Sequence, residues 1–192
     1  MVSAGREWTL TEAARVLGEP QHRLIYLCEK GVVQPDFQNA KGRGSSRRFS
    51  ARNLLEFAIA LRLRELALPA SLIGAITYTL RAFERKVQAQ IRTFRLPESL
   101  RGAAAPDLRT LIRDGRLYLS LGMGKDVPQV YGGIELRKVT SGKASLGDLQ
   151  RALVPLPFPK QTRRHGANGN GSPHARVEIS ITRIAQELRL EG

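Results

Sequence analysis

Apolar positions near the start of the chain recur with helical spacing. Leu10, Ala14 and Leu17 lie four and three apart, which predicts a short helix over Thr11–Gly18, with Thr11 as N-cap and Gly18 as the C′ glycine that ends it. Pro20 follows at once, and its fixed φ suits the first turn of a second helix. That helix, PQHRLIYLCEKG, places Leu24 and Leu27 against the first and closes at Lys30–Gly31. Ser50 caps a third helix, ARNLLEFAIALRLREL, with Leu54, Leu55, Ala58, Leu61 and Leu66 on its apolar face. Arg52, Glu56, Arg62 and Glu65 are expected to stay in water. A break at Leu68-Pro69 leads into a long helical pattern over 69–95. Its apolar stripe is Ile73, Ile76, Leu80, Phe83, Val87 and Ile91, at spacings of three and four.

After Leu96-Pro97 the pattern mixes. Residues 98–115 suggest two short helices broken at Gly102–Pro106. Residues 116–122 and 132–139 read as strands, and Ser145 caps a short helix over 146–153. VPLPFP at 154–159 is extended, because its prolines exclude helix. Residues 160–176 are rich in Gly, Asn and Ser with several cations, the composition of a mobile loop. VEISIT at 177–182 alternates as a strand does, and 184–192 closes in a helix. The predicted fold class is α+β: an N-terminal helix-turn-helix unit over 1–68, a long helix over 69–95 and a small α+β unit over 96–192.

Charge narrows the partners. Lys and Arg number 31 against 17 Asp and Glu, a formal net charge of +14 with a pI of about 11.0. Such a chain attracts polyanions before any specific contact forms. Double-stranded DNA fits better than a membrane, because there is no amphipathic basic helix, lipidation signal or apolar run of spanning length. The N-terminus lacks the charged and apolar regions of a leader, so a cytoplasmic protein, nucleoid-associated when DNA-bound, is expected. Residues 1–73 hold 11 basic and 7 acidic residues, and 74–192 hold 20 and 10. Charge alone therefore does not put the DNA surface at the N-terminus.

Catalytic chemistry is not indicated. Cys28 is the single cysteine and reads as a small core residue. His22, His165 and His174 lack metal-ligand spacing. GMGKD at 122–126 lacks the full spacing of a phosphate loop. With no acid/base pair or nucleophile pair standing out, no enzyme, metal or cofactor is expected.

Two short helices joined by a tight turn make a helix-turn-helix, whose second helix meets base edges in the major groove. Here Gln21, His22, Arg23 and Tyr26 take the base-reading positions; Gln pairs with adenine and Arg with guanine. The same stretch taken alone fits equally well the polar face of an ordinary helical hairpin. Residues 34–50, QPDFQNAKGRGSSRRFS, decide between the two. Lys41, Arg43, Arg47 and Arg48 stand among Gly42, Gly44, Ser45 and Ser46. Glycines permit a hairpin wing, and the cations with Ser45 and Ser46 suit phosphate contact. Phe49 anchors the wing to the core.

In the order of these pieces the first third of the chain resembles the winged helix-turn-helix of the MerR family. Leu24, Tyr26 and Gly31-Val32 match the family's second helix, and Arg47-Arg48-Phe49-Ser50 matches its wing. Ile25 stands where the family has an arginine, Leu27 where it has a second tyrosine and Cys28 where it has a glutamate. The resemblance implies a transcription regulator, homodimeric through an antiparallel coiled coil formed by the long helix, on an inverted-repeat operator. The stripe Ile73 to Ile91 would then be the dimer seam; packing of that helix on its own C-terminal unit is the other reading. An effector or protein partner at the C-terminal unit also fits. Two alternatives stand beside the regulator: an architectural or segregation protein coating DNA with little sequence preference, and an adaptor or antitoxin module holding a protein.

Overall fold

The computed structural model describes residues 6–37, 47–90, 92, 94–100, 107–113, 116–122 and 176–188. Among them the chain is α+β. The helices are α1 (Leu10–Leu17), α2 (Gln21–Glu29), α3 (Ala51–Glu65), α4 (Ala70–Gln90), α5 (Leu96–Ser99) and α6 (Ile181–Glu187). The strands β1 (Asp107–Arg113), β2 (Arg116–Gly122) and β3 (Arg176–Ser180) form one antiparallel sheet in the order β2–β1–β3.

The cap of α1 lies two residues earlier than the sequence suggests. Thr9, not Thr11, accepts from the amide of Glu12, and the Glu12 carboxylate accepts in return from the Thr9 amide at 2.7 Å. This capping box satisfies two end amides at once, which a lone Thr11 hydroxyl could not. Gly18 ends the helix at φ 66°, a left-handed conformation that costs glycine little. Pro20 sits at the N-cap of α2 in extended conformation, and Gln21 opens the helix. Ser50 caps α3 as expected, in a second box with Asn53.

Two side chains of the helical pattern over 51–66 exchange the environments expected of them. Leu66 is 53% exposed, because α3 ends at Glu65 and the chain turns away at Ala67 (φ 56°). Glu56 is buried at 1% exposure, held by Arg81 of α4.

Residues 107–113 are a strand, not the second of two helices. Leu108 and Thr110 are buried while Arg109 between them is half-buried. That period of two is satisfied by a sheet with one face on the core. Arg113 pairs with Arg116 at one end of the β1–β2 register. At the C-terminus the strand expected over 177–182 stops at Ser180, whose hydroxyl caps α6. The elements expected over 132–139, 146–153 and 154–159, and the loop over 160–176, lie outside the described residues.

One hydrophobic cluster runs through these elements, from Trp8 and Leu24 through Phe57 and Ile76 to Ile181 and Ile184. Helix α4 lies along α3, and its stripe faces that cluster. Ile73, Ile76 and Val87 are 0% exposed, Leu80 2% and Phe83 4%. The stripe read as a dimer seam is therefore spent inside the chain's own core, because α3 offers it an apolar face within the same molecule. Ile91 lies outside the described residues.

Candidate nucleic-acid interface

Helix α2 presents a divided surface. Leu24 and Leu27, at 0% and 1% exposure, fix its inner side against the core. Three residues at its start, Gln21, His22 and Arg23, are exposed. No side chain caps this end, and the Arg23 amide donates instead to the Pro20 carbonyl at 3.1 Å. Gln21 is tied back to α1, its side-chain amide donating to Thr11 Oγ1 at 3.3 Å. The Arg23 guanidinium donates to the Glu19 carboxylate at 2.9 Å and remains 59% exposed.

Tyr26 lies one turn further on and is half-buried. Two cations stand over its ring: Lys30 at 5.8 Å and Arg64, from the end of α3, at 5.3 Å. Their attraction to the electron-rich ring face holds both near it. Glu19, His22, Arg23, Tyr26, Leu61 and Arg64 line a cleft of about 430 Å³ between α2 and α3. Arg64 was not apparent from sequence, since nothing in the spacing of α3 tells which cation will meet α2.

Arg47 lies close enough to α2 for its charge to act on Cys28, and Arg48 close enough to α1 to act on Glu12. Phe49 then turns inward. It is fully buried, meets Phe57 edge to face at 5.2 Å, and exchanges two 2.9 Å backbone hydrogen bonds with Trp8. The anchor expected of Phe49 is thus present, with Trp8 as an unforeseen partner. Lys41, Arg43, Ser45 and Ser46 lie outside the described residues.

Below this segment lies an ion network that the sequence did not disclose. Asp36 accepts from Arg52 Nε at 3.1 Å, from Arg52 Nη2 and from the Ser50 hydroxyl, while its own amide donates to Asn53 Oδ1 at 2.9 Å. Residues 36 and 50 are thereby held together. Arg52 also donates to Glu84 of α4 at 3.0 Å, and Glu84 accepts from the Leu96 amide at 3.2 Å. Arg81 clasps Glu56 and donates to the Gln34 carbonyl. Burial pushes the Glu56 carboxyl above its ordinary range, against the pull of Arg81. Burial likewise raises the Cys28 thiol to about 11.

Among the described residues no group of three His, Cys, Asp or Glu side chains is placed to hold a metal ion, and no helix is long and apolar enough to cross a membrane. No family model and no curated protein matches the chain.

Proposed function

We propose that this protein is a sequence-specific DNA-binding regulator whose N-terminal third works as a winged helix-turn-helix of MerR type. The observation that carries the reading is α2 itself. It is a short helix locked to the core by Leu24 and Leu27, joined to α1 through a glycine turn, with Gln21, His22 and Arg23 exposed at its uncapped start. Such a helix enters a major groove end-on, its first residues toward the bases and its amides toward phosphate.

The role of each residue follows from its place. Gln21 and Arg23 carry the side chains that bond base edges bidentately, Arg23 releasing Glu19 as it does so. His22 and Tyr26 contact the groove wall, with Arg64 and Lys30 adding positive charge beside the ring. Arg47 and Arg48 take phosphates, and the sequence assigns the same role to Lys41, Arg43, Ser45 and Ser46. The net charge of +14 adds attraction that is independent of sequence.

Because the stripe of α4 is used inside the chain, one protomer with one α2 is the basic DNA-reading unit. An inverted-repeat operator then requires a second copy docked through another face. Selection of bound sequences from a random duplex library, at near-physiological salt with competitor DNA, tests the proposal. One enriched motif supports it, and a repeated half-site adds the homodimer. Retention without any preferred sequence overturns it in favour of an architectural protein, and absence of retention in favour of a protein-binding module.

A further inference from the structure

Where the chain enters α1, a further arginine is brought beside the basic segment. Trp8 and Phe49 pair as an antiparallel bridge through two 2.9 Å backbone hydrogen bonds, so the residues next to Trp8 lie beside those next to Phe49. The Trp8 side chain is buried, with 4% of the residue exposed, while Arg6 is exposed and Arg48 half-buried. The Arg6 guanidinium stands over the Trp8 ring, 5.4 Å from its centroid. Arg6 and Arg48 both come close enough to Glu12 for their charges to act on it. That carboxylate is committed to the cap of α1, where one oxygen accepts from the Thr9 amide at 2.7 Å and from the Thr9 hydroxyl at 2.9 Å. Glu7, beside Arg6, is exposed. Among the described residues no carboxylate forms an ion pair with Arg6 or with Arg48.

What holds a guanidinium decides what it can still bind. A carboxylate partner consumes its N–H donors; an aromatic ring attracts the cation and leaves those donors for another acceptor. Arg6 is in the second situation. Attraction to Trp8 also restrains a long side chain before any ligand arrives, so less rotamer freedom is lost on binding. The planar fork that remains matches two oxygens of a phosphate, which a lysine ammonium does not. We infer that Arg6 is a further contact with duplex DNA, made to a backbone phosphate next to the segment that carries Arg48 and held ready by the ring of Trp8. The inference rests on the DNA-binding reading and extends the contact surface to the residues before α1. Its effect is to add affinity for any sequence, since phosphates carry no base identity.

The test uses the full chain with Arg6→Ala, Arg6→Lys and, as a control of equal charge change, Arg183→Ala on α6, where Arg183 is 79% exposed. Arg6 is exposed, so far-ultraviolet dichroism and the unfolding midpoint of its variants should match those of the parent. Binding to a random-sequence duplex is followed by fluorescence anisotropy from low to high salt. Arg6→Ala is expected to bind more weakly, with the slope of log K against log salt reduced by about 1, the value for one phosphate contact. Arg6→Lys should keep the slope but bind more weakly than the parent, and Arg183→Ala should leave the slope unchanged. The base preference found by library selection should be the same in all three. An unchanged slope in Arg6→Ala, or an equal loss in Arg183→Ala, overturns this inference and leaves the role of α2 standing. Loss of slope in Arg6→Ala alone, with no change of base preference on altering Gln21 and Arg23, supports the Arg6 contact while overturning the reading of α2. A parent chain that retains no duplex overturns both.

Discussion

Arg52 grips Asp36 with two donors, Nε at 3.1 Å and Nη2 beside it, and with its third nitrogen reaches Glu84 at 3.0 Å. One guanidinium thus ties the segment before the basic stretch to the middle of α4. The Glu84 side chain is 3% exposed and that of Asp36 14%. Withdrawing the cation leaves a carboxylate inside the protein, and the cost lies in that stranded charge more than in the lost bond. Arg52→Ala should lower the unfolding free energy by about 3 kcal/mol, the lower end of the range for a broken buried pair, because Arg52 itself is about a quarter exposed. Urea denaturation measures it. Arg52→Lys keeps the charge but not the fork and should fall between parent and alanine variant. A loss below half a kilocalorie would show that the pair lies on the surface in solution.

Burial of the α4 stripe predicts how its truncation behaves. Ile76→Ala removes a side chain that is 0% exposed within one chain. The variant should lose about 2–5 kcal/mol of stability. Since the contact is made within a protomer, the loss should not vary with protein concentration. Denaturation at two concentrations a hundredfold apart is the check, and a midpoint rising with concentration in the parent but not in the variant would restore the stripe to a dimer seam.

Local rules made much of the N-terminal region legible, while long-range pairing decided what they missed. Gly18, Ser50, Leu24, Leu27 and Phe49 could each be placed because a cap, a turn or a helical period depends on near neighbours alone. Glu56 looked wet because only the arrival of Arg81, 25 residues on, gives a buried carboxylate its partner. The stripe of α4 looked intermolecular because period alone does not name the surface it faces. Residues 107–113 looked helical because Leu108, Leu111 and Ile112 also fit a helical spacing; pairing with β2 and β3 selects the strand. Of the candidate interface, Gln21, His22 and Arg23 were legible as the exposed start of α2. Arg64 and Asp36 were not, since each reaches its place from a distant part of the chain.

Cys28 gives a pH dependence whose sign is set by its surroundings. Burial raises the thiol from 9.0 to about 11, outweighing the nearby Arg47, which favours the thiolate. An acid that holds its proton more tightly when folded contributes fully below the unfolded value. Its contribution is lost as pH rises from 9 toward 11, where the native state binds more protons than the unfolded chain. Stability should therefore decline across that window, and Cys28→Ala should flatten the decline. At pH 8 a thiol reagent should react much more slowly with the folded protein than with the chain in urea. Equal rates would mean that the thiol is open to solvent.

If α2 reads DNA as proposed, the ion pair between Arg23 and Glu19 acts as a local brake on it. The guanidinium is engaged at 2.9 Å and 59% exposed, so contact with a base means exchanging one carboxylate for one base edge. Glu19 also opposes the approach of phosphates to the start of α2. Glu19→Gln should therefore tighten binding to every duplex with little change in the preferred sequence, because it removes a competitor and a like charge together. Arg23→Ala should act the other way, relaxing preference at one base pair at a cost of about 1–3 kcal/mol on the preferred sequence. Competition binding of the two variants on the selected motif and on its single-base variants separates these effects. If Arg23→Ala weakened all sequences equally, Arg23 would be a phosphate contact and base reading would fall to Gln21 and His22.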